Sequence, residues 1–480
     1  MSESWPSFGV DLHLDLDVAG GRRAGLERAL RAAVQSGRLV PGTRLPATRT
    51  LAAELGMSRG TVRAAYDQLL AEGYLTARQG SGTAVTRLPG GEAGLPAQPP
   101  NIAPTRPRHD LRPGSPDASS FPAAAWLRCA RRALGNAPPD AYAYGDPRGR
   151  IELRTVLADY LGRARGVVAR PGLIVITNGY AQALALLSRV LCDGGQVNIA
   201  MEDPGVARHR DVVHRNGPTV VPLPVDQRGA RTELLYDPGF PEVNAVEVTP
   251  AHQYPTGGTL PPTRRRALTS WARSASGLII ENDYDGEFRY DRQPVGAIQG
   301  TAPKHVAYVG SVSKTLSPAL RLGWMVLPPH LLAPVAEAKF QEDRHTETIG
   351  QLTLADFIAS HAYDRHIRAS RLRYQRRRDL LIARIQPRGD TSPSSFTVRG
   401  IAAGLHVLLS LPASGPTEHD IFEAAAAHGL ALGRLADRWH TPRNDHPQGV
   451  IVGYGTPSEH AYPAALDTLA HVLNSTSRAH

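Results

Sequence analysis

Apolar residues in AGLERALRAAVQSG (24–37) return at helical spacing and stop at Gly37, which predicts a first helix. PGTRLPATRTLAAELG (41–56) holds a second, shorter helix, with Thr48 placed to cap it and Gly56 to end it. SRGTVRAAYDQLLAEG (58–73) predicts a third, with Ser58 as N-cap, Gly73 as stop, and Val62, Ala65, Tyr66, Leu69 and Leu70 as the apolar face. YLTARQGSGTAVT (74–86) reads as a β-hairpin turning at Gly80–Gly82. Residues 87–108 are rich in Pro, Gly and Ala and show no apolar period, so they read as an extended linker. From 109 to 478 short β-branched runs alternate with helical patterns: GLIVITNG then YAQALALLSRVL, later GLIIEND and HVAYVGS. That alternation predicts an α/β domain with a largely parallel sheet. The expected division is therefore 9–86, a linker over 87–108, and 109–478.

Composition narrows the class. The chain has 480 residues, 41% of them hydrophobic, and a mean hydropathy of −0.27, which fits a soluble protein of about three folding units. No apolar run approaches the roughly 20 residues of a membrane helix, and the N-terminus lacks a basic-then-apolar signal pattern. The expectation is a cytoplasmic protein with no membrane partner. Cys129 and Cys192 are the only cysteines, too few for a disulfide framework or a multi-cysteine metal site, and no metal is expected. The net charge of +10 permits nucleic-acid binding without proving it. Of 54 basic residues only Lys304, Lys314 and Lys339 are lysines, so chemistry that needs a primary amine has three candidates.

The N-terminal pattern suits DNA. Two helices joined by the short turn GMS make a helix-turn-helix, and the hairpin after them makes a wing. The second helix of that pair opens with Ser58, Arg59, Gly60, Thr61 and Arg63. Recognition helices touch bases through their N-terminal residues, where hydroxyls and guanidinium groups meet phosphates and guanine edges. Residues 38–86 resemble the GntR family of regulators. The resemblance implies DNA contacts at Arg49, Arg59, Arg63 and Gly80, phosphate contacts at Ser58 and Thr61, and double-stranded operator DNA as partner.

The second zone suits a cofactor. Pyridoxal phosphate needs a lysine for a Schiff base, a partner at its pyridine nitrogen and a phosphate cradle. Lys314 lies in GSVSKTLSPALRLGW just after a strand pattern, with Ser311, Ser313 and Arg321 nearby to hold a dianion. Lys304 and Lys339 lack such neighbours and read as surface residues. TNGYAQAL (177–184) is a strand, a glycine turn and a helix start, a second place for an anion. Residues 110–330 resemble the aminotransferase-like domain of the MocR subfamily of GntR regulators. The motifs YGDPRGRIELRTVLADYLGRARGV, EDPGVARHR, VTPAHQYPTGGTLP, IIENDYDGEFRY and GSVSKTLSPALRLGW come in the family's order.

That resemblance implies a fold-type-I aminotransferase architecture and pyridoxal phosphate on Lys314. It also implies a homodimer in which the winged helix of one chain packs against the large domain of the other. By position Ser311, Ser313, Arg321 and the backbone of Gly179, Tyr180 and Ala181 would hold the phosphate. Tyr284 would bond the phenolic oxygen, Asn282 would face the ring nitrogen, and Arg208 and Tyr254 would face an effector. The chain departs from the family at Val206, where an aromatic usually covers the ring, at Asn282, where an aspartate is usual, and at Tyr180 and Ala181. The C-terminal arginine that binds a substrate carboxylate in related aminotransferases has no clear counterpart: Ile451, before the last strand, is not one, and Arg434, Arg438 and Arg443 are the nearby candidates. The leading expectation is a transcription regulator that senses an amine or amino acid through external aldimine formation. The alternatives are a catalytic aminotransferase, which leaves enzymatic activity uncertain, and a regulator whose large domain has lost the cofactor.

Overall fold

The computed structural model describes residues 21–78, 82–86, 107–291, 295–386, 396–412, 415–443 and 445–479. The chain divides into two compact units, Met1–Thr105 and Arg106–His480.

In the first unit, α1 (Arg22–Gln35), α2 (Thr48–Glu54) and α3 (Arg59–Ala71) are followed by the antiparallel pair β1 (Leu75–Arg78) and β2 (Gly82–Val85). Leu26, Leu30, Leu51, Val62, Ala65, Leu69, Leu75 and Val85 form one buried cluster, so all three helices and the hairpin share a core. Ser58 caps α3 as the sequence predicts, its hydroxyl accepting from the Thr61 amide at 3.1 Å. Thr48 does not cap α2: it is the first helical residue, Ala47 takes the cap position, and no side chain bonds the free amides. The predicted turn residue Gly80 lies outside the described residues.

The second unit begins with β3 (His109–Asp110), α4 (Ala123–Asn136), α5 (Ile151–Arg165), β4 (Ile174–Thr177) and α6 (Tyr180–Cys192). Then come β5 (Asn198–Asp203), α7 (Ala207–Arg215), β6 (Thr219–Asp226), β7 (Gly229–Ala230) and β8 (Ala245–Val248). The run continues with α8 (Pro262–Ser274), β9 (Leu278–Asn282), β10 (Val306–Ser311) and β11 (Gly323–Val326). The strands β4 to β11 build an eight-stranded sheet in the order β4-β11-β10-β9-β8-β5-β6-β7. The pairs β10–β9, β9–β8, β8–β5 and β5–β6 are parallel, while β11 and β7 run against their neighbours. The expected α/β class with a largely parallel sheet is what forms.

Alternation along the strands sends side chains to two cores. Val175, Ile280, Ala307 and Val309 pack with Leu184 and Leu187 of α6. Ile174, Ile176, Tyr308 and Trp324 pack with Leu157 and Leu161 of α5. The chain then runs through α9 (Pro329–Asp343), α10 (Thr348–Ala359) and α11 (Ala362–Ile385). The smaller C-terminal part contains β12 (Thr397–Arg399), β13 (His406–Ser410), α12 (Glu418–Ala427), β14 (Leu430–Ala431), β15 (Gly433–Arg434), β16 (Gly449–Gly453) and α13 (Tyr462–Ala479). Its antiparallel sheet has the order β12-β13-β16-β15, and β14 pairs with β3. Arg377 on α11 holds Asp117 at 2.9 Å, both buried, and so fixes the segment after β3.

Candidate functional site

Parallel α/β sheets bind ligands beyond the carboxyl ends of their strands. Here those ends carry Gly179 after β4, Glu202 on β5, Glu247 on β8, Asn282 on β9 and Ser311 with Lys314 after β10. Lys314 donates a short hydrogen bond to the Gly114 carbonyl, on the segment that Arg377 and Asp117 anchor. Burial pulls its ammonium below the usual lysine range, opposed by the charge of Asp285. A lysine held this way releases its proton more easily and is the better nucleophile. Lys304 is exposed, as expected. Lys339 is not a surface residue: it is fully buried and bonds both oxygens of Asp343, at 2.8 and 2.9 Å, one helical turn on.

The phosphate elements predicted far apart in sequence come together. Gly179 is the N-cap of α6, with φ of 102°, and no side chain caps the helix. A Cβ placed there would lie 3.4 Å from both Nη atoms of Arg321, so the guanidinium packs directly over the helix start. Arg321 itself adopts a left-handed φ of 51° at the turn into β11. Ser311 and Ser313 stand beside Lys314, the Ser313 amide 3.4 Å from the Ser311 hydroxyl. Uncapped amides facing a guanidinium make a cradle for a dianion, and these residues fit the phosphate of pyridoxal phosphate. Tyr180 and Ala181 form the first turn of α6. Val206 precedes α7, whose second residue, Arg208, is exposed.

Asn282 ends β9, and its Nδ2 donates to Oε1 of Glu247 at 3.1 Å. The Tyr180 phenol donates to the same oxygen at 2.7 Å. Burial and the neighbouring Glu247 push the Glu202 carboxyl up to about 8, and burial raises Glu247 as well. Asp283, one residue on, points away: Arg165 grips both its oxygens, at 2.7 and 2.9 Å, and the Tyr308 phenol donates at 2.7 Å.

Near Lys314 lies a group of which sequence reasoning singled out only Tyr284 and Tyr254. Asp285 bonds His252 Nδ1 at 2.8 Å, and the Tyr284 hydroxyl lies 3.2 Å from the same nitrogen. The His252 and His406 rings are 5.0 Å apart, and ligand atoms of His252, Asp285 and His406 lie within 4.8 Å of one another. Burial and nearby positive charge hold His406 well below its ordinary value, so it is neutral. His209 is neutral too, pushed down to about 3 by burial and by the charge of Lys314. Tyr254 meets His406 edge-on at 5.0 Å, and Arg438 lies over the Tyr254 ring at 5.8 Å. Arg434 instead covers Phe422 at 4.3 Å, and Arg443 is exposed.

In the N-terminal unit Arg49, Arg59 and Arg63 are exposed, the last two on the first turns of α3. Arg63 lies 3.8 Å from Asp67. The Ser58 and Thr61 hydroxyls bond one another at 2.8 Å. Comparison with known proteins agrees with this division of labour. Residues 23–85 match the model of bacterial regulatory proteins of the gntR family, and residues 116–439 match aminotransferase class I and II. The chain is 33% identical over 463 residues to the probable rhizopine catabolism regulatory protein MocR of Rhizobium meliloti, covering 92% of each. It is 31% identical to the pyridoxine biosynthesis transcriptional regulator PdxR of Corynebacterium glutamicum, covering 95% of each. The chain is a MocR-like member of the GntR family. Among solved structures, an archaeal alanine:glyoxylate aminotransferase aligns with a TM-score of 0.68 at 24% identity, over 76% of this chain and 91% of that one. At that identity the likeness establishes the fold alone.

In this MocR-like chain the missed residues carried a signal. Glu202 in NIAMED and Glu247 in AVEV are acids inside apolar strand runs, where an unpaired charge is costly and therefore informative. His252 and Asp285 lay inside motifs already read for other residues. His406, at the start of β13, had no local mark.

Proposed function

We propose that the protein is a cytoplasmic, pyridoxal-phosphate-dependent transcription regulator whose large domain senses an amine or amino acid. The observation that carries this reading is Lys314, depressed by burial, beside a cradle built from Arg321 and the uncapped start of α6. When bound, the cofactor supplies a reversible carbon–nitrogen double bond with a primary amine. Lys314 is the chain's own amine for that bond and, being easily deprotonated, is also able to give it up to a competing ligand. Arg321, Ser311, Ser313 and the amides of Gly179, Tyr180 and Ala181 anchor the phosphate. Tyr284, held by His252 and Asp285, stands at the oxygen side. Among the described residues no helix is long and apolar enough to cross a membrane.

Arg49, Arg59, Thr61 and Arg63 form the operator-facing surface, with Ser58 ordering the start of α3. We take the working unit to be a domain-swapped homodimer, and the ligand to act by favouring one arrangement of the paired DNA-binding units over another. It can do so only to the extent of its different affinity for the two. The test is binding of the full chain to duplex DNA from the region upstream of its own gene. Arg59→Ala and Arg63→Ala should each weaken it by about 1–3 kcal/mol where they read bases, and affinity should fall steeply with salt. A full chain that ignores this DNA at low salt would remove the regulator reading.

A further inference from the structure

The partner of the ring nitrogen is the point at which this chain breaks the pattern it otherwise follows, because a neutral amide stands where a carboxylate is expected. The neighbouring acid cannot take over. Asp283 spends both oxygens on Arg165 and one of them also on Tyr308, all three buried in the core.

The missing charge lies elsewhere. A carboxylate oxygen accepts hydrogen bonds, so the amide nitrogen of Asn282 is the end that faces Glu247, and among the described residues nothing donates to its amide oxygen. Glu247 is in turn set by the Tyr180 phenol, from the first turn of the helix that opens onto the phosphate cradle. Two residues that depart from the family pattern, Tyr180 and Asn282, therefore meet on one oxygen of a third.

The groups around Glu247 leave it short of positive charge. Glu202, kept protonated by burial and by Glu247 itself, offers no positive charge and is held by the Thr249 hydroxyl and amide and by Gln253. Among the described residues Arg210 is the cation whose charge reaches Glu247, but its guanidinium is bonded to the carbonyls of Arg438 and Trp439. A buried carboxylate without a bonded cation is costly, and a cation one hydrogen bond away relieves that cost.

We propose that Glu247, acting through the Asn282 amide, is the anionic partner of the cofactor's ring nitrogen. This rests on the cofactor reading above. The amide links the two: its nitrogen bonds Glu247, and its oxygen would accept a hydrogen bond from a protonated ring nitrogen. Glu247 is on this account a positioning residue that never touches the ring. A neutral amide alone would leave the nitrogen unprotonated and the ring a weak electron sink. An amide backed by Glu247 keeps it protonated.

The test is nitrogen NMR of the full chain loaded with pyridoxal phosphate carrying ¹⁵N in the ring. The wild type should show a pyridinium shift at neutral pH, and Glu247→Gln a pyridine shift. Adding Asn282→Asp to Glu247→Gln should restore the pyridinium signal, because a carboxylate then stands beside the nitrogen directly. A wild type whose ring nitrogen is unprotonated overturns the proposal without any variant, and so does a Glu247→Gln signal that stays pyridinium. Failure to load is a separate result: without a visible absorbance band and borohydride-fixed label on Lys314, the cofactor reading itself falls, and this inference with it.

Discussion

Asp283 is closed against Arg165, with two hydrogen bonds of 2.7 and 2.9 Å between side chains that are almost wholly buried. Asn282 beside it faces Glu247 instead. Asp283, the first residue past β9, turns the other way, so two adjacent polar residues serve two different purposes here. Asp283→Asn should therefore act on folding. It leaves the Arg165 guanidinium buried with a weakened partner, and breaking a buried pair of this kind costs about 3–5 kcal/mol. Denaturant unfolding should report that loss, while the cofactor absorbance of the folded fraction stays as in wild type. An Asp283→Asn protein of normal stability with an altered cofactor spectrum would mean that this residue serves the site after all.

A second expectation follows from the three lysines. Borohydride reduction of the cofactor-loaded protein should fix the pyridoxyl group on Lys314. Lys339 is shielded, fully buried and bonded to Asp343, and Lys304 is exposed but has no cradle beside it. Peptide mapping by mass spectrometry reads the result directly. Lys314→Ala should abolish the label and leave DNA binding intact, since the winged helix has a hydrophobic core of its own. Label on Lys339 would overturn the site.

What was legible in the sequence was the local part. The strand ending at Thr177 and the helix after Gly179 are marked by apolar period and a glycine, and Lys314 by its rarity among arginines. Ser58 could be read as a cap because a cap is set by its own few residues. The rest depends on strand register. Arg165 and Asp283 are 118 positions apart, and Glu247 and Asn282 are 35 apart. Only the pairing of β8 with β9 brings the latter two to one face. Asp283, the acid next to Asn282 in sequence, is committed to Arg165, which only the folded chain shows. Lys339 was different: Asp343 lies at the helical spacing i+4, a pairing signal present in the sequence and not used.

The buried acids give a pH dependence with a definite sign. Glu202 keeps its proton in the folded chain up to about pH 8 and loses it near 4.5 when unfolded. Between those values the folded state binds more protons, so stability falls as pH rises through this window. Thermal unfolding should show a melting temperature that drops from mildly acidic to mildly alkaline buffer. Glu202→Gln should flatten that drop, since an amide keeps an acceptor for the Thr249 amide and carries no charge to lose. An unchanged slope in the variant would place the titrating group elsewhere.

The last expectation concerns what the effector looks like. Of the three arginines near Ile451 that could bind a carboxylate, Arg434 is turned onto Phe422 and Arg443 is exposed in the loop beyond. Arg438 lies over Tyr254, which touches His406 in the group beside Lys314, and its Nε is buried without a hydrogen-bond partner. Its own carbonyl accepts from Gly205 and from Arg210, which ties it to the loop carrying Val206. A guanidinium in that position suits a ligand carboxylate, and a hydrogen bond to a charged group contributes about 1.5–3 kcal/mol. Arg438→Ala should therefore weaken the binding of amino acids about tenfold or more, followed through the cofactor spectrum. The matching amines without a carboxylate should bind as they do to wild type. Equal losses for both classes would show that Arg438 supports the loop and does not read the ligand. Losses for neither would return the carboxylate site to Arg208, exposed on the second residue of α7.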